Sequence, residues 1–356
     1  MKWIKQFSTF VLSMGVIFSL TGCGGGGGGT TPGDSSGGGT DAGGDSSKIK
    51  LAFVTNASAD FWSYSHAAAK QFSKDHPDVE VIFKAGDGTP AKQKQIVDDL
   101  ISSGVKGIAI SPIDPVAQTK MINEWAEKIK VICCDSDAPQ ANRVCYFGTD
   151  NIEGGRRVGT LIKEALAGAE GPQKIMVFVG IKEVANAQQR FQGTKEALEG
   201  TNIEIIDLLT DDVDFAKARK NAENTLTAHP DVAAMVGLWE YNPPQILNAL
   251  ESAGKLGVVK TVGFDENFAT LRAIDAGNCQ GTVCQDPYLF AYDSMTILRD
   301  IIVEGKDEAE VVAGMKAKHG GPADDPKMIF VDTKVIRKGE GVAYLNHCQS
   351  LLDSVK

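Results

Sequence analysis

Clusters of lysine and arginine, CxxC pairs and the common catalytic motifs are missing from this 356-residue sequence, which has only five histidines, and each shortage closes off a kind of function. Without a basic cluster, and with 46 acidic against 36 basic residues for a formal charge of −10, nothing offers the phosphate contacts of a nucleic-acid surface. The absence of CxxC leaves a thioredoxin-like redox role without its carrier. No HExxH, no GxxxxGK[ST] loop and no strand-to-helix GxSxG elbow is present, and no nucleophile and base stand out as a pair, so the commonest hydrolase and nucleotide chemistries lack their residues. After the first twenty residues no run is apolar enough for a membrane span.

The chain opens with Lys2 and Lys5 ahead of an apolar stretch from Phe7 to Leu20, the layout of a signal peptide over residues 1–22. Leu20-Thr21-Gly22-Cys23 resembles a bacterial lipobox, which implies cleavage before Cys23 and a lipid on its sulfur. Residues 24–47 hold 12 glycines among Ser, Thr and Asp, too little apolar surface to fold. Such a tether reaches about 25–30 Å. The expectation is an extracytoplasmic, membrane-anchored lipoprotein of the periplasm or cell surface, with a soluble body from Lys48 onward. A helix-turn-helix, as a repressor needs, has no place at such an N-terminus.

From Ile49 short apolar runs alternate with helix-length amphipathic segments: "IKLAFVT", "VEVIF", "GIAIS", "VICC", "VCYFG", "KIMVFVG", "IEIIDLL", "AAMVGLW", "VVKTVGF" and "QGTVCQ". Runs apolar on both faces and separated by helices predict parallel strands covered by helices, the α/β class. Helix starts show the same signals: Thr89 as N-cap before Pro90 with Gly104 past the end, Asp114 before Pro115, and Asn242 before Pro243.

In open parallel sheets ligands bind beyond the carboxyl ends of the strands. Those ends carry Asn56, Ser111, Asp135, Trp239, Asp265 and Gln285, acceptors and amides with one large aromatic. That set suits a polyhydroxylated ligand, whose hydroxyls donate to carboxylates while rings cover its C–H face. "VICCDSDAP" places Cys133, Cys134, Asp135 and Asp137 together, but neighbouring residues of a strand point to opposite faces, so a shared metal ion is not expected. Cys133 and Cys134, with Cys145, Cys279, Cys284 and Cys348, are core residues or disulfide partners of open connectivity.

The ordered series "FVTNASADFWSYSHAAAKQF", "GDGTPAKQKQIVDDLISSGVKGIAISPID", "GTDNIEGGR", "TAHPDVAAMVG" and "VGFD" resembles the type I periplasmic sugar-binding proteins, from Lys48 to the mid-330s. The resemblance implies two Rossmann-like lobes with parallel sheets joined by a three-crossing hinge. Their expected extents are 48–150 with 286–331 for the N-terminal lobe and 151–285 with 332–356 for the C-terminal one. It also implies that Phe61, Trp62 and Phe215 stack on a sugar, that Asp135 and Asp265 accept from ring hydroxyls, that Arg190 forks onto two sugar oxygens, and that Ser111 and Gln285 complete the cleft. Two departures bear on specificity. Ser136 follows Asp135 where ribose binders have arginine, leaving Asp137 as an added carboxylate, and Trp239 replaces a common asparagine. Ribose is therefore in question, and another pentose, a hexose, a cyclitol or an amino sugar remains open. The function implied is delivery of a small sugar to an ABC transporter permease by a monomer without cofactor or metal, not an enzyme. The alternatives are a sugar-sensing partner of a membrane receptor, and an Asp135–Asp265 glycosidase pair.

Overall fold

Strands that are apolar on both faces need cover on both, and the intervening helices supply it. In the computed structural model, which describes residues 48–354, the first lobe begins with β1 (Ile49–Val54), α1 (Trp62–Asp75), β2 (Val79–Lys84), α2 (Pro90–Ser102), β3 (Gly107–Ile110), α3 (Thr119–Ala126), β4 (Lys130–Cys134) and β5 (Tyr146–Gly148). The second follows with α4 (Asn151–Ala165), β6 (Gln173–Val179), α5 (Ala185–Leu198), β7 (Ile203–Thr210), α6 (Phe215–Ala228), β8 (Ala234–Gly237), α7 (Asn242–Ser252), β9 (Lys260–Phe264), α8 (Phe268–Ala276) and β10 (Gly281–Cys284). The chain then runs through α9 (Pro287–Ile302), α10 (Glu308–His319), β11 (Met328–Phe330), β12 (Lys334–Ile336) and α11 (Gly341–Asp353). The signal segment, Cys23 and the glycine-rich stretch lie outside the described residues. Among the described residues no helix is long and apolar enough to cross a membrane.

Two six-stranded sheets result, in the orders β11-β5-β4-β3-β1-β2 and β12-β10-β9-β8-β6-β7. All pairings are parallel except β10 with β12. The orders match strand for strand, so each lobe has its switch point beside its first strand, where a crevice opens at the carboxyl ends. The chain crosses between the sheets after β5, after β10 and after β11. All ten apolar runs form strands; β11 and β12, of three residues each, carry no periodic signal.

Each sheet is packed on both faces. Cys133 joins the cluster with Ile108, Ile122 and Trp125, whereas Cys134 joins that with Phe72, Phe147 and Phe290. The adjacent thiols therefore point to opposite faces, and all six described cysteines are buried free thiols, not disulfides.

The helix signals fare unequally. Thr89 caps α2, its Oγ1 accepting from the Lys92 N–H at 3.2 Å. Asp114 instead closes a turn, its Oδ1 accepting from Val116 and Ala117, so regular helix starts only at Thr119. Asn242 is not a cap: its Oδ1 accepts from the Trp239 N–H at 3.1 Å and its Nδ2 donates to Asp211 at 3.0 Å. It ties the end of β8 to the residue that follows β7.

Helices α4 and α5 touch through glycine. A Cβ on Gly155 would stand 2.1 Å from the Arg190 carbonyl oxygen, and one on Gly193 would stand 1.9 Å from that of Ile152. This contact sets the height of Arg190 above the second sheet. Gly193→Ala is expected to destabilise the protein by about 1–3 kcal/mol through overpacking, read as a lowered urea midpoint with an unchanged m-value.

Candidate functional site

Asp135 and Asp265 are the first residues past β4 and β9, and both take positive φ, 62° and 68°. Few side chains other than glycine sit there, and aspartate is among those that do. The turn swings each carboxylate off its strand axis and toward the other lobe. Between them lies the buried guanidinium of Arg190 from α5, with Nη2 3.8 Å from Asp135 Oδ1 and Nη1 3.7 Å from Asp265 Oδ2. These are ionic contacts beyond hydrogen-bond reach. Its hydrogen bonds go elsewhere: Nε donates to Asn151 Oδ1 and Nη1 to the Leu238 carbonyl, each at 2.9 Å, while the Phe264 ring lies 3.9 Å beneath Cζ. Nη2 has no partner.

A small cavity forms around this group, walled by the rings of Phe61, Trp62, Trp239 and Tyr241. Asn56, Asn186, Glu240 and Gln285 add polar groups. Every hydrogen bond behind the wall orients one facing it. Trp62 Nε1 donates to Asn56 Oδ1 at 3.1 Å, and Trp239 Nε1 to Asn186 Oδ1 at 3.1 Å. Asn186 Nδ2 donates to Asp135 Oδ2 at 3.0 Å, a bond from the second lobe to the first. Gln285 Nε2 donates to Asp265 Oδ1 at 2.8 Å and leaves its Oε1 unpartnered. The lobes are closed on one another, since side chains from both are buried around the cavity.

The electrostatics oppose burial to pairing. Burial pushes the carboxyls of Asp135 and Asp265 above their ordinary range while Arg190 pulls both down, and Ser111 with Asn186 helps to hold Asp135. Glu240, absent from the expectations, is pushed up to about 7 by burial, against the hydrogen bond from Asn267.

Eight of the expected residues meet at the cavity: Asn56, Phe61, Trp62, Asp135, Arg190, Trp239, Asp265 and Gln285. Three do not line it. Ser111 stands behind Asp135, its Oγ donating to Oδ2 at 2.8 Å. Asp137 is engaged by Arg143, with Nε to Oδ1 at 2.5 Å and Nη2 to Oδ2 at 2.7 Å, so it is a buried ion pair of the first lobe and no ligand acceptor. Phe215 remains 46% exposed and stacks at 4.6 Å on Tyr241, whose ring is the one facing the cavity. Asn186 was missed although it lies one turn before Arg190 on the same helical face, the spacing that could have revealed it. Glu240 and Tyr241 follow Trp239 directly and carried no such signal. Among the described residues no group of His, Cys, Asp and Glu is arranged to hold a metal ion.

A family model for the periplasmic binding protein domain matches residues 51–307. The ribose import binding protein of Salmonella typhimurium is 29% identical over 272 residues, which span 75% of this chain and 89% of that protein. Among solved structures, a glucose-galactose binding protein from Geobacillus stearothermophilus superposes with a TM-score of 0.71 at 25% identity, covering 82% of this chain and 97% of its own. An ABC transporter solute-binding protein from Burkholderia graminis, solved with D-arabinose, gives 0.71 at 25% identity and covers 84% and 99%.

Removing one member of a buried ion pair strands the other charge, so Arg143→Ala is expected to lower stability by about 3–5 kcal/mol. Because the pair stands off the cavity, ligand affinity of the folded variant should match that of the parent; a loss of affinity in calorimetry at a temperature where it is folded would return Asp137 to the site.

Proposed function

The chain belongs to the periplasmic binding protein family, and from that membership we propose that it is an extracytoplasmic receptor that closes on a small sugar and delivers it to an ABC transporter permease. The observation that carries this reading is the pair of buried, unpartnered polar atoms, Arg190 Nη2 and Gln285 Oε1, within a cavity walled by four aromatic rings. A donor and an acceptor held ready beside carboxylates are what hydroxyls require, and the rings cover the C–H faces of a pyranose or furanose. Relatives that bind ribose or arabinose support the choice of ligand class. The family comprises solute-binding proteins, and this chain is not an enzyme.

Closure works by population shift. The two bodies, 48–150 with 286–331 and 151–285 with 332–356, rotate about the three crossings, and ligand favours the closed form in which Asp135 meets Arg190 and Asn186. A permease then reads the closed surface. A sensing receptor would use the same cavity and differ only in the membrane protein that reads it. The receptor is monomeric and held to the membrane through a lipid on Cys23. Cys23→Ser is expected to move the protein from the membrane to the soluble fraction, with fractionation as the measurement; retention would remove the anchor.

The experiment for the ligand class is a thermal-shift screen against pentoses, hexoses, cyclitols and amino sugars, on protein stripped of ligand by unfolding and refolding. A ligand of the folded state raises the melting temperature when present well above its Kd. For whichever sugar does so, Asp265→Ala should weaken binding by about 1–3 kcal/mol, because hydroxyl donors are left unpaired. A flat response to every sugar would overturn the reading.

A further inference from the structure

Charge in the cavity does not balance. Three carboxyl groups line it, those of Asp135, Glu240 and Asp265, against the single guanidinium of Arg190. Arg190 lies between the two aspartates, at 3.8 and 3.7 Å, so its charge is already shared. Glu240 stands outside this triad. It is buried, it is held by a hydrogen bond from Asn267 Nδ2 to Oε1, and the charged side chains that act with it include Asp265, Asp60 and Glu266, all acidic. A buried carboxylate without a cation is unfavourable, and among the described residues no cation forms an ion pair with Glu240.

A ligand can supply one. An ammonium brings a positive charge and three donors, and it is attracted to the faces of aromatic rings such as those of Phe61, Trp62, Trp239 and Tyr241 that wall the same cavity. We propose that the ligand is an amine-bearing sugar or cyclitol whose ammonium is received by Glu240, an inference that rests on the sugar-receptor reading above. Glu240 thereby takes the part that the sequence suggested for Asp137, which Arg143 neutralises. Neutral sugars can satisfy Asp135, Asp265, Arg190 and Gln285 but bring Glu240 no cation, so burial keeps its carboxyl raised. The raised pKa of Glu240, about 7, agrees with a group that a bound cation would return to its ionised form.

The test uses the full chain, stripped of ligand, and matched sets of probes at neutral pH by calorimetry. The sets are D-glucosamine, D-glucose and N-acetyl-D-glucosamine; the corresponding galacto compounds; and scyllo-inosamine with scyllo-inositol. Within at least one set the amine is expected to bind about tenfold or more tighter than its hydroxyl and N-acetyl counterparts, the scale of a charge-assisted hydrogen bond. Glu240→Gln should collapse that ratio to near unity. A hydroxyl compound binding as tightly as its amine would overturn the proposal and leave the sugar-receptor reading standing, as would an amine preference that survives Glu240→Gln. Failure of all the probes, together with the flat screen described above, would remove both. Should the variant not fold, the ratio measured on the parent protein decides the matter.

Discussion

A guanidinium buried between two lobes is the constraint on which this structure turns. Taking Arg190 out of water costs several kcal/mol unless its donors and charge are met, and no single element can meet them. Asn151 at the first crossing, the Leu238 carbonyl beyond β8, the face of Phe264 and the carboxylates of Asp135 and Asp265 each supply a part. One of the aspartates comes from the other lobe, so its part of this compensation is present only when the lobes are together. The glycine contact between α4 and α5 belongs to the same arrangement, because a side chain there would lift the helix that carries the arginine.

The duplicated strand order makes that closure symmetrical in its parts. In each lobe a central strand ends in an aspartate held at positive φ, and in each the first helix after the first strand carries side chains to the cavity, Trp62 on α1 and Arg190 on α5. The lobes differ in what they add. The first brings Phe61, Trp62 and Asn56, while the second brings Asn186, Trp239, Glu240 and Tyr241 and most of the charge. Under the proposed function, binding and hinge motion would be one event, because groups that line the cavity, Asp135 and Asn186, are hydrogen-bonded across the two lobes.

Much of the architecture was legible because it is written locally. Ten strands announced themselves as apolar runs, and the short β11 and β12 were not among them. The strand-end rule found Asp135, Trp239, Asp265 and Gln285 without any knowledge of how the lobes meet. It also named Ser111, which stands behind Asp135, while Asp137, suggested by the departure from the family pattern, is taken by Arg143, six residues on in a loop whose path no local pattern reveals. The family resemblance named Phe215 and not Tyr241, although the two rings stack and only Tyr241 lines the cavity.

The sequence by itself determined the fold class, the alternation of strands and helices, the ends at which a ligand would sit and the acidic, hydrogen-bonding character of those ends. These follow from periodicity, capping residues and turn chemistry, which act over a few residues. Only the tertiary structure decided which carboxylates are free. Asp137 is neutralised by Arg143, Asp135 and Asp265 share Arg190, and Glu240 is left with acidic neighbours, because electrostatic pairing depends on distance in space and that distance is set by how the chain crosses three times between two sheets.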